Sequence, residues 1–162
     1  AVDIVHSAVG KDIFLLNKAD KKYPGESTKS LINGFGGTIN YKDLSWQGFE
    51  AKDLIATIDM GKLTIINEVK IRFLQSQVFW IFLPKKIEIE HSTDGENFEL
   101  IYEAYPKNDF SFVQDIFTYS VNPKNIKTRY IKVKATNINE CPEYHPGSGG
   151  PSWIFSDEII IN

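Results

Sequence analysis

The chain has 162 residues, 42% hydrophobic and 24% charged, which suits one folded domain and excludes a disordered or low-complexity segment. With 18 Lys and Arg against 21 Asp and Glu, the net charge is −3, which excludes the broad basic surface that binds phosphate backbones. Cys141 is the one cysteine, so no intrachain disulfide forms and a core must hold the fold; no apolar run approaches the roughly 20 residues that cross a bilayer.

The chain opens Ala1-Val2-Asp3 with no initiator Met and no signal-like stretch, and reads as a domain cut from a longer chain. From Asn17 to Phe49 it is Gly-rich and aromatic with little periodicity, and contains Tyr23-Pro24-Gly25 and Asn33-Gly34-Phe35-Gly36-Gly37. Leu54, Ala56, Ile58 and Met60 then alternate with polar residues such as Thr57 and Asp59, a strand that Met60-Gly61-Lys62 is expected to close. Val69, Ile71 and Phe73 alternate with Lys70 and Arg72, Ile87 and Ile89 with Glu88 and Glu90, and Ile131 and Val133 with Lys132 and Lys134. Each set has the period of a strand with one buried face. Asp94-Gly95, within Ser92 to Asn97, predicts a hairpin. Asn137 to Ser152 is a second irregular stretch; segments of that length are functional or fixed by something such as a metal ion.

No segment of about 11 residues shows a clean helical period. Ile outnumbers Leu about two to one, and β-branched and aromatic residues favour pleated surfaces. The expectation is one all-β domain over residues 1–162, a sandwich or jelly roll of short antiparallel strands with neither repeat nor linker.

Five segments in order carry a family resemblance. They are Leu31-Ile32-Asn33-Gly34 leading to Trp46, Ala56-Thr57-Ile58-Asp59-Met60-Gly61, the hairpin from Ile87 to Phe98, Thr128-Arg129-Tyr130-Ile131-Lys132-Val133, and Ser156-Asp157-Glu158-Ile159. Together they resemble the discoidin, or F5/8 type C, domain, whose carbohydrate-binding members are the family 32 modules. Trp46 to Glu50, Phe73-Leu74-Gln75 with Trp80 to Pro84, and Cys141 to Gly147 further resemble the C-terminal modules of Bacteroidetes family 20 β-hexosaminidases, or chitobiases. The resemblance implies an eight-stranded antiparallel jelly roll, a ligand surface built from loops at one end, a structural Ca2+ near that end, and an extracytoplasmic setting in the periplasm or at the cell surface.

By match to the family's pattern, Asn33 and Glu158 are the calcium positions, completed by oxygens at Ser30, Phe35, Thr38 and Asp157. Ca2+ takes six to eight hard oxygens. The family's usual Asp is Asn33 here, which removes one charge. The same Asn33-Gly34 pair also suits a bare tight turn.

Sugar recognition needs an aromatic ring against the pyranose face and polar groups at its rim. The loops offer Tyr41, Phe79, Trp80, Tyr144, His145, Trp153 and Phe155, with Asp43, Gln75, Arg72 and Glu143 as polar partners; Tyr41 and either Trp153 or Phe155 match the family's stacking positions. Trp46 is read as core, while Trp80 and His145 suit either packing or ligand contact. His91 reads as a satisfied strand histidine, and His6 carries no signal.

No nucleophile elbow, zincin, phosphate-loop or dinucleotide motif is present, and Cys141 reads as a small buried hydrophobe. The expectation is a non-catalytic module that targets a glycoside hydrolase to galactose- or N-acetylhexosamine-type glycans. The rival is an accessory domain that packs on the catalytic domain of the same chain and binds no sugar. Nucleic acid is excluded as a partner, and a membrane ranks lowest.

Overall fold

The computed structural model describes residues 2–162. Its strands are β1 (Val2–Asp3), β2 (Asp12–Leu15), β3 (Phe35–Gly36), β4 (Gln47–Glu50), β5 (Leu54–Ile66), β6 (Val69–Gln75), β7 (Lys86–Ser92), β8 (Glu99–Ala104), β9 (Asp115–Val121), β10 (Ile126–Thr136) and β11 (Trp153–Ile161). A five-stranded sheet runs β2-β5-β10-β7-β8 and a four-stranded sheet β4-β11-β6-β9; β1 and β3 form a two-residue ribbon. Every pairing between these strands is antiparallel. The count of eight is therefore corrected to eleven. The sequence left no periodic mark on the two-residue strands or on β2, whose four residues alternate between exposed and half-buried.

The alternation places the core as expected. Ala56, Ile58, Ile89, Ile131 and Val133 of one sheet meet Phe49, Ile71, Phe73 and Ile159 of the other in one buried cluster. Full burial of a Leu, Ile or Phe side chain contributes about 1.5–3 kcal/mol, so this cluster is what holds the sandwich closed. β5 does not end at Met60-Gly61. Gly61 adopts φ +86° with its N–H donated to Asp59 Oδ1 at 2.7 Å, and the strand continues to Ile66 beyond a register shift opposite Thr128 and Tyr130. Glycine takes that backbone region without steric cost, so the strand bulges here instead of stopping.

β11 departs from alternation. All its residues except Trp153 are buried, Ser156, Asp157 and Glu158 included. It lies between β4 and β6, and the 3₁₀ turn Ser30–Ile32 and β3 lie against it. Both its faces are thus covered, and its polar side chains must find partners inside the protein.

Candidate functional site

Four loop segments converge where β6 ends and β11 begins. Tyr23 is held alongside β4 by the Gly48 N–H, which donates to its carbonyl at 2.9 Å. Tyr41 follows a turn capped by Asp43, whose carboxylate accepts the Thr38 N–H at 2.8 Å and the Thr38 hydroxyl. Those bonds, the hydroxyl's first, hold the Asp43 carboxyl below its ordinary range. Phe79 ends a 3₁₀ turn that breaks off because Trp80 takes a left-handed conformation, φ +66°. Trp153 opens β11, and its N–H bonds the Trp80 carbonyl at 2.9 Å.

These residues form one aromatic cleft. The Tyr41 and Phe79 ring centroids are 4.4 Å apart, Tyr23 and Trp153 are 5.3 Å apart nearly perpendicular, and Tyr23 packs on Phe155 at 4.8 Å. The cleft holds about 180 Å3, is lined by Tyr23, Tyr41, Phe79, Ile81 and Trp153, and has Lys22 at its edge. Phe79 is 46% exposed, whereas Phe155 is 1% exposed and belongs to the floor. Rings held at fixed mutual angles, with one face open, suit the C–H face of a pyranose.

The candidates from sequence separate into three groups. Tyr41 and Trp153 line the cleft, Phe155 supports it from beneath, and Asp43 fixes the loop that carries Tyr41. Trp80 is half-buried at the other side of its loop, its ring packed so closely on Gly147 and Gly150 that a side-chain carbon at either glycine would overlap it. His145 is 7% exposed with both ring nitrogens in use: Nδ1 accepts the Gly147 N–H at 2.9 Å and Nε2–H donates to the Gln77 carbonyl at 2.7 Å. Its ring is thus engaged inside the protein and does not line the cleft. Gln75 is likewise 7% exposed. Arg72 faces Asp157, and Tyr144 donates to the Asn108 carbonyl at 2.8 Å, away from the cleft. Glu143 is exposed on the 138–152 loop.

The six expected calcium donors do not fit a cation as arranged. Asp157 Oδ1 and Oδ2 accept Arg72 Nε and Nη2 at 3.1 and 3.0 Å, and Oδ2 also accepts the Gly37 N–H at 2.7 Å. Glu158 Oε1 accepts His6 Nε2 at 2.7 Å and the Gly34 N–H at 2.9 Å. Asn33 Oδ1 accepts the Phe35 N–H, Ser30 Oγ the Ser27 N–H, and the Thr38 hydroxyl is bound to Asp43. Of the donor side chains only Glu158 Oε2 is buried with no partner. Among the side chains that leaves one open oxygen, so most of the six or more that Ca2+ needs would have to be backbone carbonyls, and the Arg72 guanidinium occupies the neighbourhood with a positive charge of its own. Burial pushes the Asp157 carboxyl up to about 6 against the pull of Arg72, and burial likewise raises Glu158 against that of His6.

Three residues of this end carried no functional weight in the sequence. Tyr23 stood as part of Tyr23-Pro24-Gly25, Lys22 had no part in any motif, and His6 carried no signal. His6 is 7% exposed and bonded to a residue 152 positions away, a contact no local pattern announces. Cys141 is buried as expected, which raises its thiol pKa. Trp46 is core, 1% exposed, with its indole N–H donated to the Thr38 carbonyl at 2.9 Å. His91 is satisfied only in part: it pairs with Glu99 at 3.3 Å while its Nδ1 lacks a partner.

A two-sheet jelly roll with an aromatic cleft among its end loops defines a β-sandwich module. The F5/8 type C domain matches residues 18–153, and the chain belongs to that family. No curated protein matches the chain in sequence. Its fold is similar to that of chitosan-binding module 1 from a chitosanase/glucanase of Paenibacillus sp. IK-5, with TM-score 0.61, 13% identity and 98% of both chains covered. It is similar to the Clostridium perfringens module CpGH89CBM32-4, crystallised with GlcNAc-α-1,4-galactose, with TM-score 0.60, 13% identity, and 100% of this chain and 96% of that one covered. It also matches a Ruminococcus gnavus GH29 fucosidase in complex with fucose, with TM-score 0.63, 14% identity, and 97% of this chain against 26% of the fucosidase. The structural neighbours are thus discoidin-like carbohydrate-binding modules, some of them parts of glycoside hydrolases.

Proposed function

We propose that this chain is a non-catalytic carbohydrate-binding module attached to an extracytoplasmic glycoside hydrolase of the β-N-acetylhexosaminidase type. Its task is to hold the enzyme at glycans of galactose or N-acetylhexosamine type. The observation that carries this reading is the cleft of Tyr23, Tyr41, Phe79 and Trp153, which is the size of one sugar ring and presents aromatic faces. The neighbour in complex with GlcNAc-α-1,4-galactose supports it. A single stacked ring with few rim hydrogen bonds gives weak affinity, and tethering to a catalytic domain turns weak affinity into useful local concentration. No described helix is long and apolar enough to cross a membrane.

A second reading makes the module a structural partner of the catalytic domain. It is favoured by the exposed apolar tip at Phe110, Phe112 and Val113, where Phe112 is 74% exposed and packs edge-on to Phe110 at 4.6 Å. Amide NMR titration with galactose, N-acetylgalactosamine, N-acetylglucosamine and chitobiose decides between the two. Saturable shifts around Tyr41, Phe79 and Trp153 are expected. Their absence with all four sugars at millimolar concentration transfers the role to the Phe110–Val113 tip.

A further inference from the structure

Beside the aromatic cleft lies a second, larger concavity. It is formed where the chain from Leu16 to Lys22 runs past the turn between β4 and β5, and holds about 650 Å3. Four lysines line it, Lys18, Lys21, Lys22 and Lys52, against two carboxylates, Asp20 and Glu50. Asp20 is partly committed, since its Oδ1 accepts the Lys22 backbone N–H at 2.8 Å. None of the four lysines takes part in an ion pair among the described residues. In a chain of net charge −3 this is a local reversal of sign.

The two concavities are adjacent. Lys22 lines both, and Glu50 of the lysine groove is the strand partner of Trp153 in the cleft. A fifth ammonium, that of Lys42, stands 5.8 Å from the centre of the Tyr41 ring. A ligand seated on Tyr41, Phe79 and Trp153 therefore extends toward unpaired positive charge.

We propose that the groove takes the anionic substituent of a glycan, a carboxylate or a sulfate, carried by the ring in the aromatic cleft or by the sugar next to it. This rests on the sugar-binding reading and narrows it to acidic glycans. Lysine ammoniums suit the task because they are mobile point charges that follow an anion without demanding one geometry. Their attraction is screened by salt, whereas ring stacking is not.

The test titrates the intact chain by amide NMR with galactose, digalacturonate, galactose 6-sulfate and plain sulfate at low salt. Both charged sugars, or one of them, are expected to bind about tenfold more tightly than galactose, the sum of two or three exposed ion pairs. Which one gains tells carboxylate from sulfate. The gain is expected to shrink in 0.5 M NaCl, and to vanish in Lys21→Ser/Lys52→Ser, a pair of exposed positions outside the cleft, while galactose binding is unchanged. Equal affinity for charged and neutral sugars overturns the groove's role and leaves the cleft reading intact. So does a gain that survives the lysine substitutions, or sulfate alone binding as tightly as the sulfated sugar. Absence of shifts at Tyr41, Phe79 and Trp153 with every sugar overturns both readings together.

Discussion

At the scale of the residue, the contrast is between rings that support and rings that are offered. Phe155 and Trp46 are sealed, whereas Tyr41, packed on Phe155, is half-buried and Phe79, packed on Tyr41, is exposed. Phe79→Ala and Tyr41→Ala are expected to lower sugar affinity about five- to thirtyfold, since a stacked aromatic contributes about 1–2 kcal/mol, and to shift the melting temperature little. Isothermal titration beside calorimetric melting checks both halves of that statement. His6 presents the opposite case. Its Nδ1 accepts the Ala8 N–H at 3.3 Å while Nε2–H serves Glu158, whose other carboxylate oxygen is already without a partner. His6→Ala leaves a buried carboxylate with the Gly34 N–H and little else, and is expected to cost about 3 kcal/mol in denaturant unfolding.

At the scale of the element, side chains pin the irregular segments. The 138–152 loop is pinned by Asn137, whose amide donates to the Lys52 carbonyl at 3.0 Å and whose oxygen accepts the Asn139 N–H at 2.7 Å and the Ser152 hydroxyl at 2.8 Å. The loop before β9 is pinned by Gln77, which donates to the Asp109 carbonyl at 2.8 Å. The β7–β8 hairpin closes on Asp94, which accepts the Glu96 and Asn97 N–H groups and the Asn97 amide, each at 2.8 Å. These bonds, Asn97's first, drive the Asp94 carboxyl far below its ordinary value. A depressed native pKa means the unfolded chain binds the proton more readily, so this stabilisation is present above about pH 4 and is lost as the pH falls through the native value. Asp94→Asn is expected to be less stable at pH 7 and to show a flatter fall in stability between pH 5 and 2, read from denaturation midpoints. The hairpin, and the buried faces of β5, β6, β7 and β10, were legible because their determinants are local: an Asp-Gly turn and a period of two. The cleft was legible only in part. Tyr41 and Trp153 stood out as loop aromatics, but Tyr23 joins them through a bond to Gly48, and His145 turns inward to Gln77, neither of which has a local signature.

At the scale of the whole molecule, the two carboxylates of β11 join the N-terminal segment and the Gly34–Gly37 loop to the four-stranded sheet through His6 and Arg72. The protein supplies its own hydrogen-bond donors, the Arg72 guanidinium among them, where the family resemblance implied an added cation. Chelation with EDTA, or addition of millimolar CaCl2, is expected to leave the melting temperature unchanged, since a ligand that does not bind the native state cannot stabilise it. A shift of several degrees would restore the Asn33 and Glu158 cation site.

The position of β11 sets the order in which the chain becomes a protein. The strand that follows all others in sequence lies in the middle of the four-stranded sheet, with β4 on one side and β6 on the other. During synthesis β4 and β6 leave the ribosome long before the partner that joins them, and wait as open edges. Closure is therefore a late event that brings together segments far apart in sequence, which slows folding and exposes unpaired strands to chaperones or to aggregation. A nascent chain arrested before Trp153 is expected to be digested by protease throughout, and one extended past Asn162 by a linker long enough to clear the exit tunnel to be protected as a single unit.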